Sequence, residues 1–88
     1  MFEKEITVTN RLGLHARPAA RVVQTASGFK SEIRLRRDDL EVNAKSIMGV
    51  MMLAAEMGSR VLIRAEGEDE AQAVEALVGL FQEKFGED

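Results

Sequence analysis

Apolar residues recur with two different periods along this chain, and the switches between them outline its elements. Phe2, Ile6 and Val8 alternate with polar residues, as a strand with one buried face requires. Ile33 and Leu35 alternate in the same way with Glu32, Arg34 and Arg36. Arg37-Asp38-Asp39 has the character of a tight turn, which returns Leu40-Glu41-Val42 as the second arm of a hairpin. A fourth strand is predicted from Arg60 to Glu66, with Val61, Ile63 and Ala65 on one face.

Three segments carry helical spacing instead. Ala16 to Ser27 aligns Ala19, Val23 and Ala26 along one stripe, and Gly28 is the expected C-terminal stop. Ile47 to Glu56 forms a second helix that ends before Gly58. Asp69 to Lys84 forms a third, whose acidic start complements the positive end of a helix. Its buried face is expected to hold Ala73, Val74, Leu77, Val78 and Phe81. The order is βαββαβα. Strands with one apolar face, joined through helices, predict an α+β domain with helices layered on one side of a mainly antiparallel sheet.

With 88 residues, 45% hydrophobic and 31% charged, the chain has the balance of one globular domain, taken as residues 1–88. It has no cysteine, which removes disulfides and thiolate metal ligands and fits a reducing compartment. The apolar run from Ile47 to Ala55 is far shorter than the ~20 residues that span a bilayer. Met1-Phe2-Glu3-Lys4-Glu5 lacks the basic-then-apolar form of a signal peptide. Both features favour a cytoplasmic protein without membrane insertion.

The net charge of −3 is unevenly spread, with +2 over residues 1–44 and −5 over the remainder. No carboxylate falls between Ile6 and Ser31, whereas Arg11, Arg17, Arg21 and Lys30 do. Such a stretch suits an anion or an acidic protein surface, or is an ordinary solvated face. The acidic balance and the absence of Tyr and Trp argue against nucleic acid as a partner.

Candidate chemistry concentrates in Arg11-Leu12-Gly13-Leu14-His15-Ala16-Arg17-Pro18-Ala19. Pro18, the only proline, belongs in a first helical turn, so the helix begins just after the only histidine. No capping residue lies nearer than Asn10, and no acidic side chain follows closely, so the terminus is expected to keep free N–H groups. That terminus suits a phosphate or carboxylate, with Arg17 adding guanidinium donors. His15 beside it is a usable nucleophile near neutral pH and can both accept and release a phosphoryl group. No carboxylate dyad or multi-histidine metal set accompanies it. On residues alone, a histidine that simply marks the start of a helix is the simpler reading.

The second candidate is Asn43 to Ala55, whose apolar residues would run all the way round a helix. So small a protein cannot bury every face, so some of Ile47, Met48, Met51 and Met52 are expected at the surface as an adaptable docking patch. A helix sunk in the core is the alternative. Ser46 is placed to cap this helix, and it is also a candidate phosphorylation site. A small-molecule module is the weakest reading, since no second polar cluster is present to line a pocket.

Gly13-Leu14-His15-Ala16-Arg17-Pro18-Ala19-Ala20 resembles the active-site signature of the HPr family, the histidine-containing phosphocarriers of the bacterial phosphoenolpyruvate-dependent phosphotransferase system. Lys45-Ser46-Ile47-Met48-Gly49-Val50-Met51 resembles the family's regulatory-serine motif, and motif spacing, length and element order agree across the whole chain. The resemblance implies an open-faced β-sandwich, a four-stranded antiparallel sheet covered by three helices. It implies that His15 takes phosphate on Nδ1 from phosphorylated enzyme I and passes it to a IIA domain, with Arg17 orienting the phosphate. Ser46 would be the target of HPr kinase/phosphorylase, and a transcriptional regulator is a further implied partner. Docking would use Ile47, Met48, Met51 and Met52 together with Ala20 and Arg21. The carrier would need no cofactor or metal, would not be a stand-alone catalyst, and is most simply a monomer. Leu12 and Met52-Leu53-Ala54 depart from the sugar-type pattern and leave the sugar-type and nitrogen-type branches both open. A regulatory adapter acting through phosphorylation-dependent binding is the alternative function.

Overall fold

The computed structural model describes residues 1–87. Its elements are β1 (Phe2–Thr7), α1 (Ala16–Ser27), β2 (Glu32–Arg37), β3 (Leu40–Asn43), α2 (Ile47–Met52), β4 (Arg60–Glu66) and α3 (Glu70–Gln82), followed by a 3₁₀ turn at Lys84–Gly86. The strands form one antiparallel sheet in the order β1-β4-β2-β3. This is the expected open-faced α+β sandwich.

The alternation within the strands separates the two faces. Ile33, Leu35, Val42, Val61, Ile63 and Ala65 point inward and are buried. They meet Ala19, Val22 and Ala26 of α1 and the buried stripe of α3, which holds Ala73, Val74, Leu77, Val78, Leu80 and Phe81. Each such large side chain stabilises the fold by roughly 1.5–3 kcal/mol. The opposite face stays polar: Arg64 of β4 bridges Glu3 of β1 at 3.2 Å and Glu41 of β3 at 3.1 Å.

Element boundaries differ from expectation where backbone groups serve a tertiary partner. Val8 falls just outside β1, yet it is buried and exchanges hydrogen bonds with the residues before β4, through Ser59 O and the Gly58 N–H. Asp69 lies at the start of α3 without capping it. Its carboxylate accepts instead from the backbone N–H groups of Lys30 and Ser31 and from the Ser31 hydroxyl, joining the loop before β2 to the start of α3. The Ser31 hydroxyl bond and the Lys30 amide bond hold the Asp69 carboxyl below its ordinary range. Helix α3 stops at Gln82 rather than Lys84, because Lys84 and Phe85 turn left-handed with φ of 55° and 58°.

The largest departure is in α2, which ends at Met52 rather than Glu56. Ala54 adopts φ 51°, and the carbonyls of Leu53 and Ala54 accept from Arg37 Nη1 at 2.8 and 2.9 Å. The Ala55 carbonyl accepts the Leu14 N–H at 2.8 Å. The left-handed Ala54 breaks the helix, and the carbonyls around it hold the loop before α1 and the end of β2. At its other end α2 is capped as expected, with Ser46 Oγ accepting the Gly49 N–H at 3.0 Å.

Two glycines separate steric need from habit. Gly13 has φ 66°, and a Cβ there would lie 2.3 Å from the Ala55 carbonyl oxygen. Gly28 ends α1 at φ −78°, without using the left-handed freedom expected of a helix stop. Gly13→Ala should cost roughly 1–3 kcal/mol in urea unfolding, while Gly28→Ala should be neutral or stabilising by about 0.5 kcal/mol. Equal unfolding midpoints for the two variants would contradict this reading of the loop.

Candidate functional site

The turn from Asn10 to Leu14 fixes where α1 begins. Asn10 is fully buried, and its Nδ2 donates to the Gly13 carbonyl at 2.8 Å. The Gly13 N–H returns to the Asn10 carbonyl at 3.3 Å, and Leu14 is buried and bonded to Ala55. His15 follows as the N-cap residue in an extended conformation, φ −77° and ψ −170°. Its carbonyl accepts the Ala19 N–H at 3.0 Å, closing the first turn of α1.

That terminus is open. No side chain caps it and its first turn contains no acidic residue. Pro18 lacks an N–H, and the N–H groups of Ala16 and Arg17 have no partner among the described residues. Arg17 is exposed, and no hydrogen bond or ion pair engages it among the described residues. Two unpaired backbone donors, an uncommitted guanidinium and the positive end of a 12-residue helix therefore converge beside the imidazole.

One expectation fails here. A carboxylate does reach the site, from Glu87, whose Oε1 lies 3.1 Å from His15 Nε2 and accepts from Asn10 Nδ2 at 3.0 Å. The hydrogen bond with His15, then that from Asn10, holds the Glu87 carboxyl below the usual glutamate range, and the Arg17 charge adds a smaller effect. Asn10, considered from sequence only as a distant capping residue, thus serves this contact instead. Glu87 carried no sequence signal, because the left-handed turn that brings it across 72 residues is built on Lys84 and Phe85 rather than on glycine alone.

Helix α2 packs beside α1 and buries Val50, with Leu53 buried just past its end. Its other side chains face outward: Met48 is 71% exposed and Met52 65%, with Ile47 and Met51 also exposed. Leu12 and Met57 are exposed apolar residues as well, which the docking set read from sequence does not include. The remaining members of that set separate. Ala20 is half-buried on α1, and Arg21 donates through Nη1 to the Phe85 carbonyl at 2.8 Å, which ties it to the 3₁₀ turn.

The histidine and its anion cradle can take up and release an anionic group, and no cluster suited to a metal is found among the described residues. A concavity of about 260 Å³ on the open sheet face is lined by charged groups including Glu32, Arg34, Glu41 and Arg64, not by an apolar pocket.

Comparison with known proteins agrees with this geometry. A family described as PTS HPr component phosphorylation site matches residues 2–83. Phosphocarrier protein HPr of Xylella fastidiosa (strain Temecula1) is 56% identical over 88 residues, covering 100% of this chain and 99% of that one. The crystal structure of HPr from Thermoanaerobacter tengcongensis superposes with a TM-score of 0.96 at 53% identity, covering 100% and 99% of the two chains. Crh of Bacillus subtilis, a catabolite-repression protein whose crystal structure is a dimer with a swapped domain, gives a TM-score of 0.76 at 46% identity over 96% of this chain and 97% of that one. The signature around His15, the open α1 terminus and these full-length similarities lead to one conclusion: the chain belongs to the HPr family of phosphocarriers of the phosphotransferase system.

Proposed function

We propose that His15 accepts a phosphoryl group on Nδ1 from phosphorylated enzyme I and donates it to a histidine of a IIA domain. The observation that carries this reading is the pairing of His15 with an α1 terminus whose first N–H groups are unpartnered among the described residues. In an in-line transfer, the donor's N–P bond breaks as the Nδ1–P bond forms, and charge spreads over the equatorial oxygens. The Ala16 and Arg17 N–H groups and the Arg17 guanidinium supply donors for those oxygens. The protein carries the group between partners rather than acting as a stand-alone catalyst.

The partners dock on the exposed side of α2, through Ile47, Met48, Met51 and Met52 beside Ala20 of α1. Arg21 contributes less than its position suggests, since its guanidinium is already engaged by Phe85. The carrier works in the cytoplasm as a single domain and, unlike the swapped Crh dimer, as a monomer. Sugar-type and nitrogen-type relays both fit this arrangement. A second role, regulation through Ser46 by HPr kinase/phosphorylase and a transcriptional regulator, is supported by the similarity to Crh and by the position of Ser46 at the base of the exposed α2 face.

Relay is tested by transfer of labelled phosphate from phosphoenolpyruvate and enzyme I to a IIA domain. His15→Ala should abolish transfer, and Arg17→Ala should slow it about 10²-fold with the fold intact. Residual relay through His15→Ala would sink the assignment. Ser46→Asp separates charge from capping, because Asp caps a helix as well as Ser does. Its thermal stability should stay within about 0.5 kcal/mol of the parent, while its affinity for enzyme I falls about tenfold. An unchanged dissociation constant would count against regulation at this position.

A further inference from the structure

We infer that Glu87 is a positioning residue for the His15 imidazole: its carboxylate keeps the proton on Nε2 and so reserves Nδ1 for the phosphoryl group. The inference rests on the carrier role proposed for His15 and deepens it.

An ionised carboxylate offers only lone pairs, so the ring nitrogen that faces Glu87 Oε1 at 3.1 Å must carry a hydrogen. A neutral imidazole has a single N–H, and with it on Nε2 the lone pair lies on Nδ1. Asn10 fixes the carboxylate in turn. Its buried Nδ2 stands between two acceptors, the Gly13 carbonyl at 2.8 Å and Glu87 Oε1 at 3.0 Å, which leaves the amide one workable orientation.

The chain reversal that delivers Glu87 is built rather than incidental. Lys84, Phe85 and Gly86 take φ of 55°, 58° and 78° in succession, a conformation costly for the first two. Phe85 is buried against Phe81 with ring centroids 4.8 Å apart, and its carbonyl is held by Arg21 Nη1 at 2.8 Å. Arg21 therefore serves the site from behind, by anchoring the turn that presents Glu87.

The consequence follows from the electron count. When the Nδ1 lone pair bonds phosphorus and the donor leaves with its own pair, the ring carries substituents on both nitrogens and a positive charge. The Nε2 proton stays in place, paired with the Glu87 carboxylate, as an acid residue steadies the imidazolium in a catalytic triad. When the group moves on, the Nδ1–P electrons return to Nδ1 and the ring departs as neutral imidazole. Had Nε2 lost its proton, the leaving group would be imidazolate, which is far poorer. Glu87 thus assists both uptake and release.

The test compares the full chain with Glu87→Ala and Glu87→Gln. Fold is checked by backbone amide spectra, and the imidazole ¹⁵N shifts are read near pH 9, where an ordinary histidine is neutral. The parent should show one protonated and one lone-pair nitrogen, and Glu87→Ala should move the two shifts toward each other. Transfer from phosphorylated His15 to a IIA domain should slow about tenfold in Glu87→Ala, with Glu87→Gln between it and the parent. Unchanged ring shifts, or transfer as fast as or faster than the parent, would overturn the inference. Intact mass keeps the two ideas apart: a parent protein that gains no phosphoryl group at His15 defeats the carrier reading, whereas a phosphorylated parent with indifferent variants defeats only the role of Glu87.

Discussion

The hydrogen bond from the Leu14 N–H to the Ala55 carbonyl joins the two halves of the site. One partner immediately precedes His15, and the other lies three residues beyond the end of α2, so this contact sets the imidazole in relation to the exposed methionines. It requires Gly13, because any side chain there would enter the space of the same carbonyl. It also explains why α2 is short. A helix continued to Glu56 would aim the Ala55 carbonyl along its own axis and leave the loop before α1 without an anchor.

Around that anchor the site is arranged by what is left unpaired as much as by what is paired. Among the described residues the first turn of α1 has donors and no acceptor, Arg17 is exposed within it, and Pro18 forms the turn without adding another N–H. The remaining polar groups are committed. Glu87 Oε1 joins the Asn10 Nδ2 group to the ring edge at Nε2, and Arg21 is held by Phe85. The imidazole is thus restrained on one edge, with open anion donors where α1 begins, a division that suits a group that must be gained and lost repeatedly.

Much of this was legible in the residues. Period-two alternation located the strands, and Pro18 after the lone histidine located the start of α1, because both signals are local. Strand order was not legible: β4, the last strand in sequence, lies between β1 and β2, and no local pattern records a pairing of that range. Ser46 was placed correctly as a cap and the α2 methionines as surface residues, the latter from a limit on how much a small protein can bury. The end of α2 differs because Leu53, Ala54 and Ala55 are good helix formers, yet Ala54 turns left-handed where the neighbouring carbonyls meet Arg37 and Leu14. Glu87 was invisible for a related reason, since its position depends on left-handed residues held by packing of Phe85 and by Arg21 rather than by glycine alone.

The most direct test of the account is the backbone ¹H–¹⁵N spectrum of the protein before and after phosphorylation with phosphoenolpyruvate and enzyme I. If the α1 terminus receives the phosphoryl oxygens, the amides of Ala16 and Arg17 acquire acceptors and should show the largest downfield shifts in the chain. If those two resonances stay in place while His15 is phosphorylated, the open helix terminus is not the anion cradle and the account is contradicted.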